Sequence, residues 1–207
     1  MTNILDLAEQ ARLAGLHVKI QPPAEELPDT DALLGTPLDS ELAELLRVAN
    51  GCQIASLTIY GAAGSPNTLI GMNRDIRAIR DDIPLLGRVL LCAGFGYQAT
   101  NLATVPNHTD EKGRQPVVIV DTNEEPFMVP LASTVNRALE LVVEDDIRRT
   151  QDEFWSDEPF PENLAERIAQ DVRLMELINA GAFADIDGGT EDLQEWCELL
   201  RGLAGRR

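Results

Sequence analysis

The stretch that most limits the fold is "SELAELLRVANGCQIASLTIYG", residues 40–61. Leu42, Leu45, Leu46 and Ala49 recur at helical spacing, and Asp39 or Ser40 stands where a side-chain oxygen can cap the first turn. Asn50-Gly51 follows at once. Glycine, and to a lesser degree asparagine, adopts the left-handed backbone that closes the last carbonyls of a helix, so the helix is expected to stop there. "IASLTIYG" then offers Ile54, Leu57, Ile59 and Tyr60 in a run that reads as a strand. A helix stopped within two residues of a strand must pack near the sheet it feeds.

The flanking segments extend this pattern. Asn3 can cap a helix with Ile4, Leu5, Ala8, Ala11 and Leu16 at helical spacing and Gly15 near its end. Pro22, Pro23 and Pro28 exclude a continuous helix from "HVKIQPPAEELPDTD" and leave a short strand or extended loop, and a turn follows at 35–37. "MNRDIRAIRDDIP" places Ile76, Ile79 and Ile83 on one face of a short helix. "GRVLLCAGFGYQATNLATV" gives two apolar runs about a glycine turn, "PVVIVDT" a buried strand, and "NEEPFMV" a turn into another. A helix capped at Ser133 or Thr134 follows. "LAERIAQDVRLMELINAG" carries Leu164, Ile168, Val172, Met175 and Ile178 as one helical stripe ended by Gly181. Thr190 can cap a last helix bearing Leu193, Trp196, Cys197, Leu200 and Leu203. This order predicts an α+β fold: an antiparallel sheet, or a mixed one, with helices packed on one side. The expected domain spans 1–147, with an acidic helical C-terminal extension over 148–207.

Charge narrows the partners. The net charge is -18, a field that repels phosphate backbones and anionic membrane surfaces, so neither nucleic acid nor membrane is an expected partner. Residues 140–200 hold about fourteen of the eighteen surplus negative charges, which points to a basic partner or to simple solubility. Cys52, Cys92 and Cys197 show no disulfide framework and no zinc spacing, which fits a reduced, cytoplasmic setting. The N-terminal residues lack the pattern of a secretion signal.

"LLGTPLDSELAELLRVANG" resembles the SMI1/KNR4 (SUKH) superfamily, with its leucine-glycine, proline, leucine-rich helix and closing Asn-Gly. "LTIYG", "VLLCAGFGYQ" and "PVVIVD" stand where that family has its following strands, and the resemblance runs over residues 33–143. It implies a small α+β protein. Many bacterial members are implied to be immunity proteins that neutralise toxins of bacterial competition, frequently nucleases, while fungal relatives are implied in cell-wall regulation. The expected function is therefore an immunity protein that blocks a basic cognate toxin by stoichiometric occlusion. The alternative is a non-enzymatic scaffold or regulatory module of the same family, because fold does not fix function.

No enzyme, cofactor or metal is expected. His17 and His108 are the only histidines, the first near a helix end and the second in a polar loop, and no Ser or Cys stands in a nucleophile motif. "GFGYQA" lacks the rest of a phosphate-loop fingerprint and reads as a hairpin turn. "DTNEEP" lacks calcium-loop spacing and reads as a turn; an acidic metal site at Asp121, Glu124 and Glu125 is the rival idea. The candidate partner-binding residues are Glu144, Asp145, Asp146, Asp152, Glu153, Phe154, Trp155, Asp157 and Glu158. Their carboxylates can steer a basic toxin, and the two rings either anchor it or dock the C-terminal helices.

Overall fold

The computed structural model describes residues 4–95, 100–122, 127–151, 162–184 and 191–206. Every strand pairs with its neighbour in sequence. β1 (Val18–Ile20), β2 (Cys52–Ile54), β3 (Leu57–Ile59), β4 (Leu90–Phe95), β5 (Thr100–Thr104), β6 (Val117–Asp121) and β7 (Phe127–Ala132) thus form one antiparallel sheet in chain order. The helices around it are α1 (Ile4–Leu13), α2 (Thr30–Leu34), α3 (Ser40–Val48), α4 (Leu69–Ile79), α5 (Val135–Gln151), α6 (Ala165–Ile168), α7 (Val172–Asn179) and α8 (Glu191–Ala204). The α+β fold and the antiparallel sheet are as expected. No helix among the described residues is long and apolar enough to cross a membrane.

Burial alternates at one end of the sheet and not at its centre. Cys52, Ile54, Leu57 and Ile59 face the core while Gln53 is exposed and Thr58 half-buried, so one face of β2 and β3 stays open. In β4 and β6, Leu90 to Ala93 and Val117 to Val120 are all buried, so the centre of the sheet is covered on both faces rather than on one.

Local chemistry explains the helix starts. The Asp39 side chain accepts from Leu42 N at 2.9 Å and caps α3, whose Leu42, Leu45 and Leu46 are buried as the spacing predicts. Gly51 has φ 81, yet it does not close the helix. Ala49 is already extended, and the Asn50 N–H donates to Pro22 O at 2.9 Å, so the glycine turns the chain into β2.

Other expectations are revised as well. "IASLTIYG" is a hairpin rather than one strand, because Ala55 takes φ 49 and reverses the chain at Ala55-Ser56. The stripe from Leu164 to Ile178 is not one helix. Asp171 caps a new one by accepting from Leu174 N at 3.1 Å, and this leaves Val172 70% exposed. α4 begins earlier, at Leu69, capped by Thr68. It docks through Leu69 and the buried Asn73, whose amide accepts from Leu91 N and donates to Leu91 O, while Ile79 is 76% exposed. α2, capped by Asp29, was not anticipated.

The boundary expected between 147 and 148 falls inside α5, and one apolar core crosses it. Leu164, Ile168, Leu174, Ile178, Leu193, Trp196 and Leu200 are buried in the same cluster as the sheet. Polar ties reinforce the docking. Trp196 Nε1 donates to Pro130 O at 2.8 Å, Asp171 accepts from Ser133 N at 2.7 Å, and Arg173 lies 3.0 Å from Asp110. His108, expected as a solvated loop residue, instead meets Ala182 O through Nε2 and packs edge-on against Phe183. Trp196→Phe keeps most of the buried ring but leaves the Pro130 carbonyl without its donor. The expected cost is about 1 to 2 kcal/mol, read as a lower urea midpoint at unchanged m-value.

Candidate functional site

The Asn50-Gly51 junction builds a cleft. Asn50 Oδ1 accepts from Ala62 N at 2.5 Å and its Nδ2 donates to Ala63 O at 3.0 Å, so one side chain satisfies two backbone groups of the loop after β3. That loop is drawn in tightly. A Cβ on Gly51 would lie 2.9 Å from Ile59 O and 3.0 Å from Gly61 N, and one on Gly61 would lie 2.5 Å from Asn50 O. Tyr60 continues the same arrangement, donating through its hydroxyl to Asn101 Oδ1 at 2.8 Å, directly over Gly94.

The result is a space of about 220 Å³ on the open face of β2 and β3, walled by Ser65, Pro66 and Asn67. Register places Lys19 opposite Gln53, and Gln53 opposite Thr58, so these three side chains form a row across the strands, with Gln21 beside it. Among the described residues, no hydrogen bond or ion pair engages the side chains of Lys19, Gln21, Gln53, Thr58 or Asn67. Among the described residues Lys19 has no counter-charge, in a chain whose only other lysine is Lys112. Sequence reasoning missed this site. Its members lie on three strands, and only the register brings them together.

The acidic candidates on α5 are engaged inside the molecule. Glu144 pairs with Arg148 at 2.6 Å and with Arg167; burial pushes its carboxyl up, but those two guanidiniums outweigh burial and hold it below its usual range. Asp145 is buried, pairs with Arg149 at 2.8 Å and accepts from Asn163. Asp146 accepts from Ser56 Oγ at 3.1 Å, which ties α5 to the β2–β3 turn; burial raises its pKa. The structure thus brings Glu144, Asp145 and Asp146 together as ties of α5 to its neighbours. Asp152, Glu153, Phe154, Trp155, Asp157 and Glu158 lie outside the described residues, as do Glu124 and Glu125.

Open negative charge is instead found on α8. Glu191, Asp192, Glu195 and Glu198 are exposed, while Leu193, Trp196, Cys197 and Leu200 on the opposite side are buried. The helical period of "EDLQEWCELL" carries that split, although the sequence reading used only its apolar half. Leu199, 44% exposed, sits among the acids.

The remaining reactive types are placed plainly. The three cysteines are buried and free, and burial pushes the Cys52 and Cys92 thiols up to about 12, far from thiolate chemistry at neutrality. Asp121 accepts from Thr100 Oγ1 at 3.2 Å, and no group of three or more metal-ligating side chains occurs among the described residues. Fold and surface together define an α+β protein with an acidic helical face and a separate polar cleft. Compared with known proteins, the chain matches no family model and no curated protein.

Proposed function

We propose that this chain is an immunity protein of the SMI1/KNR4 (SUKH) type that binds a cognate toxin of bacterial competition and neutralises it by stoichiometric occlusion. The toxin it suits is basic, with a nuclease as the favoured class. The observation that carries this reading is the exposed acidic face of α8, whose opposite side is docked on the sheet through the buried Trp196 and its neighbours. Negative charge so placed steers a basic partner and accelerates its encounter. Leu199 supplies apolar contact within the charged rim.

The test is affinity capture from cells under competition conditions, followed by titration of the captured partner at low and high salt. A single basic toxin bound one to one is expected. Its affinity should fall by about a hundredfold on reversing Glu191, Asp192, Glu195 and Glu198 to lysine together, and it should weaken with salt. Capture of housekeeping proteins alone favours the regulatory-module reading. Tight toxin binding indifferent to these reversals keeps the function and moves the site off α8.

A further inference from the structure

We propose that the outer edge of β1, with the cleft beside it, docks an extended segment of a partner protein that reads apolar, acidic, apolar and adds to the sheet as a strand. This goes beyond the α8 reading and does not depend on it. Ala55 N donates to His17 O at 2.8 Å and Gln21 N to Gly51 O at 3.1 Å, pairing 17 with 55 and 21 with 51. By the two-residue period of an antiparallel ladder, Lys19 and Gln53 exchange the bonds between them. The N–H and C=O groups of Val18 and Ile20 therefore point away from β2, and no hydrogen bond from the described residues reaches them.

The C-terminal end of the other edge is engaged by the C-terminal helices. Beside β7, Pro130 O receives Trp196 Nε1, Ser133 N–H donates to Asp171, and Ser133 O receives Arg173. Among the described residues, β1 offers an edge that nothing engages, short enough, with Pro22 and Pro23 soon after it, to take a brief segment rather than propagate. Self-pairing is disfavoured as well, since two β1 strands meeting centre to centre set two Lys19 ammonium groups against each other.

The same register specifies the occupant. On an added antiparallel strand, the residue facing Lys19 forms the non-hydrogen-bonded pair, in which side chains lie closest, and it projects on the cleft face. There it meets an ammonium with no counter-charge among the described residues, flanked by the free side chains of Gln53 and Gln21. An acidic side chain fits. The residues on either side of it project on the opposite face, over Val18 and Ile20, which are only half-buried at the rim of the core. Apolar side chains there complete their cover.

The test uses the full chain, isotope-labelled for NMR, and three blocked peptides, acetyl-Thr-Val-X-Val-Thr-amide with X as Glu, Gln or Lys. The Glu peptide is expected to slow amide exchange at Val18 and Ile20, and to bind about threefold tighter than the Gln peptide and about tenfold tighter than the Lys peptide at low salt. Lys19→Glu, at an exposed position, should invert that order. The proposal is overturned if Lys19→Glu leaves the order unchanged, if the shifts map away from β1, or if no peptide binds up to its solubility limit. It is equally overturned if free glutarate binds as well as the Glu peptide, which makes the cleft a small-carboxylate site without strand addition.

Discussion

Gly51→Ala is expected to lower the unfolding free energy by about 3 to 4 kcal/mol, the sum of a backbone penalty and a steric one. Gly51 sits at φ 81, where an L side chain is strained. The added Cβ would also lie 2.9 Å from Ile59 O, 3.0 Å from Gly61 N and 3.2 Å from Gly61 Cα. All three are backbone atoms, so no rotamer change relieves the contact. Gly35→Ala is the matched control: φ is 67, but nothing lies within 4 Å of the new Cβ, so only the conformational penalty of about 1 kcal/mol applies. Urea denaturation of both variants separates the two causes. Equal losses would mean that the crowding between the Asn50-Gly51 junction and residues 59–61 is not what requires glycine. The Gly51 variant should also disturb the cleft, since the chain it pushes leads into the wall at 65–67.

The same junction shows what the sequence makes legible. A leucine stripe and a capping aspartate are local signals, and α3 follows from them; its end does not follow from the glycine, which turns the chain into β2 after Ala49 has already left the helix. β6 and β7 were readable for a similar reason, as apolar runs bounded by turn residues. The failures share the opposite cause. Nothing in "IASLT" marks a turn, because Ala55 adopts φ 49 with no glycine or asparagine to announce it; pairing with β1 and β4 on either side decides that reversal. The break between α6 and α7 is set by Asp171, whose carboxylate serves α7 and Ser133 N at once, a contact between residues far apart in sequence. Sequence also leaves the environment of the α5 acids unread. Glu144, Asp145 and Asp146 look free in a run of acids, but their arginine partners at i+4 and on α6, and Ser56 in the hairpin, draw them inward. The cleft was illegible because Lys19, Gln53 and Thr58 become neighbours only through the register of three strands.

Asp39 is expected to make the fold more stable in mild acid than at neutrality. It is fully buried, caps α3 through Leu42 N and accepts from Gln115 N at 2.6 Å, so it joins the start of α3 to the segment entering β6. Burial pushes its carboxyl from an ordinary 3.8 up to about 6, against the backbone N–H donors of Leu42, Gln115 and Glu41 that favour the charge; the nearby Glu41 carboxylate also raises it. A folded pKa above the unfolded one means that the native state holds the extra proton between those values. The contribution is therefore complete below pH 3.8 and is lost as pH rises through 6, with a size of about 3 kcal/mol. Asp110, held at about 2, and Glu144, held below its usual range, run the other way and lose stability as pH falls, so the raw profile mixes both signs. Asp39→Asn isolates the term. It keeps one oxygen for Leu42 N–H, removes the acceptor for Gln115 N–H, and no longer titrates. Its destabilisation should be about 2 kcal/mol larger at pH 4 than at pH 7, because at neutrality the wild type carries the desolvated charge that the variant lacks. An equal destabilisation at the two pH values would show that the Leu42 and Gln115 donors fully offset burial, and that this buried cap titrates as a surface aspartate does.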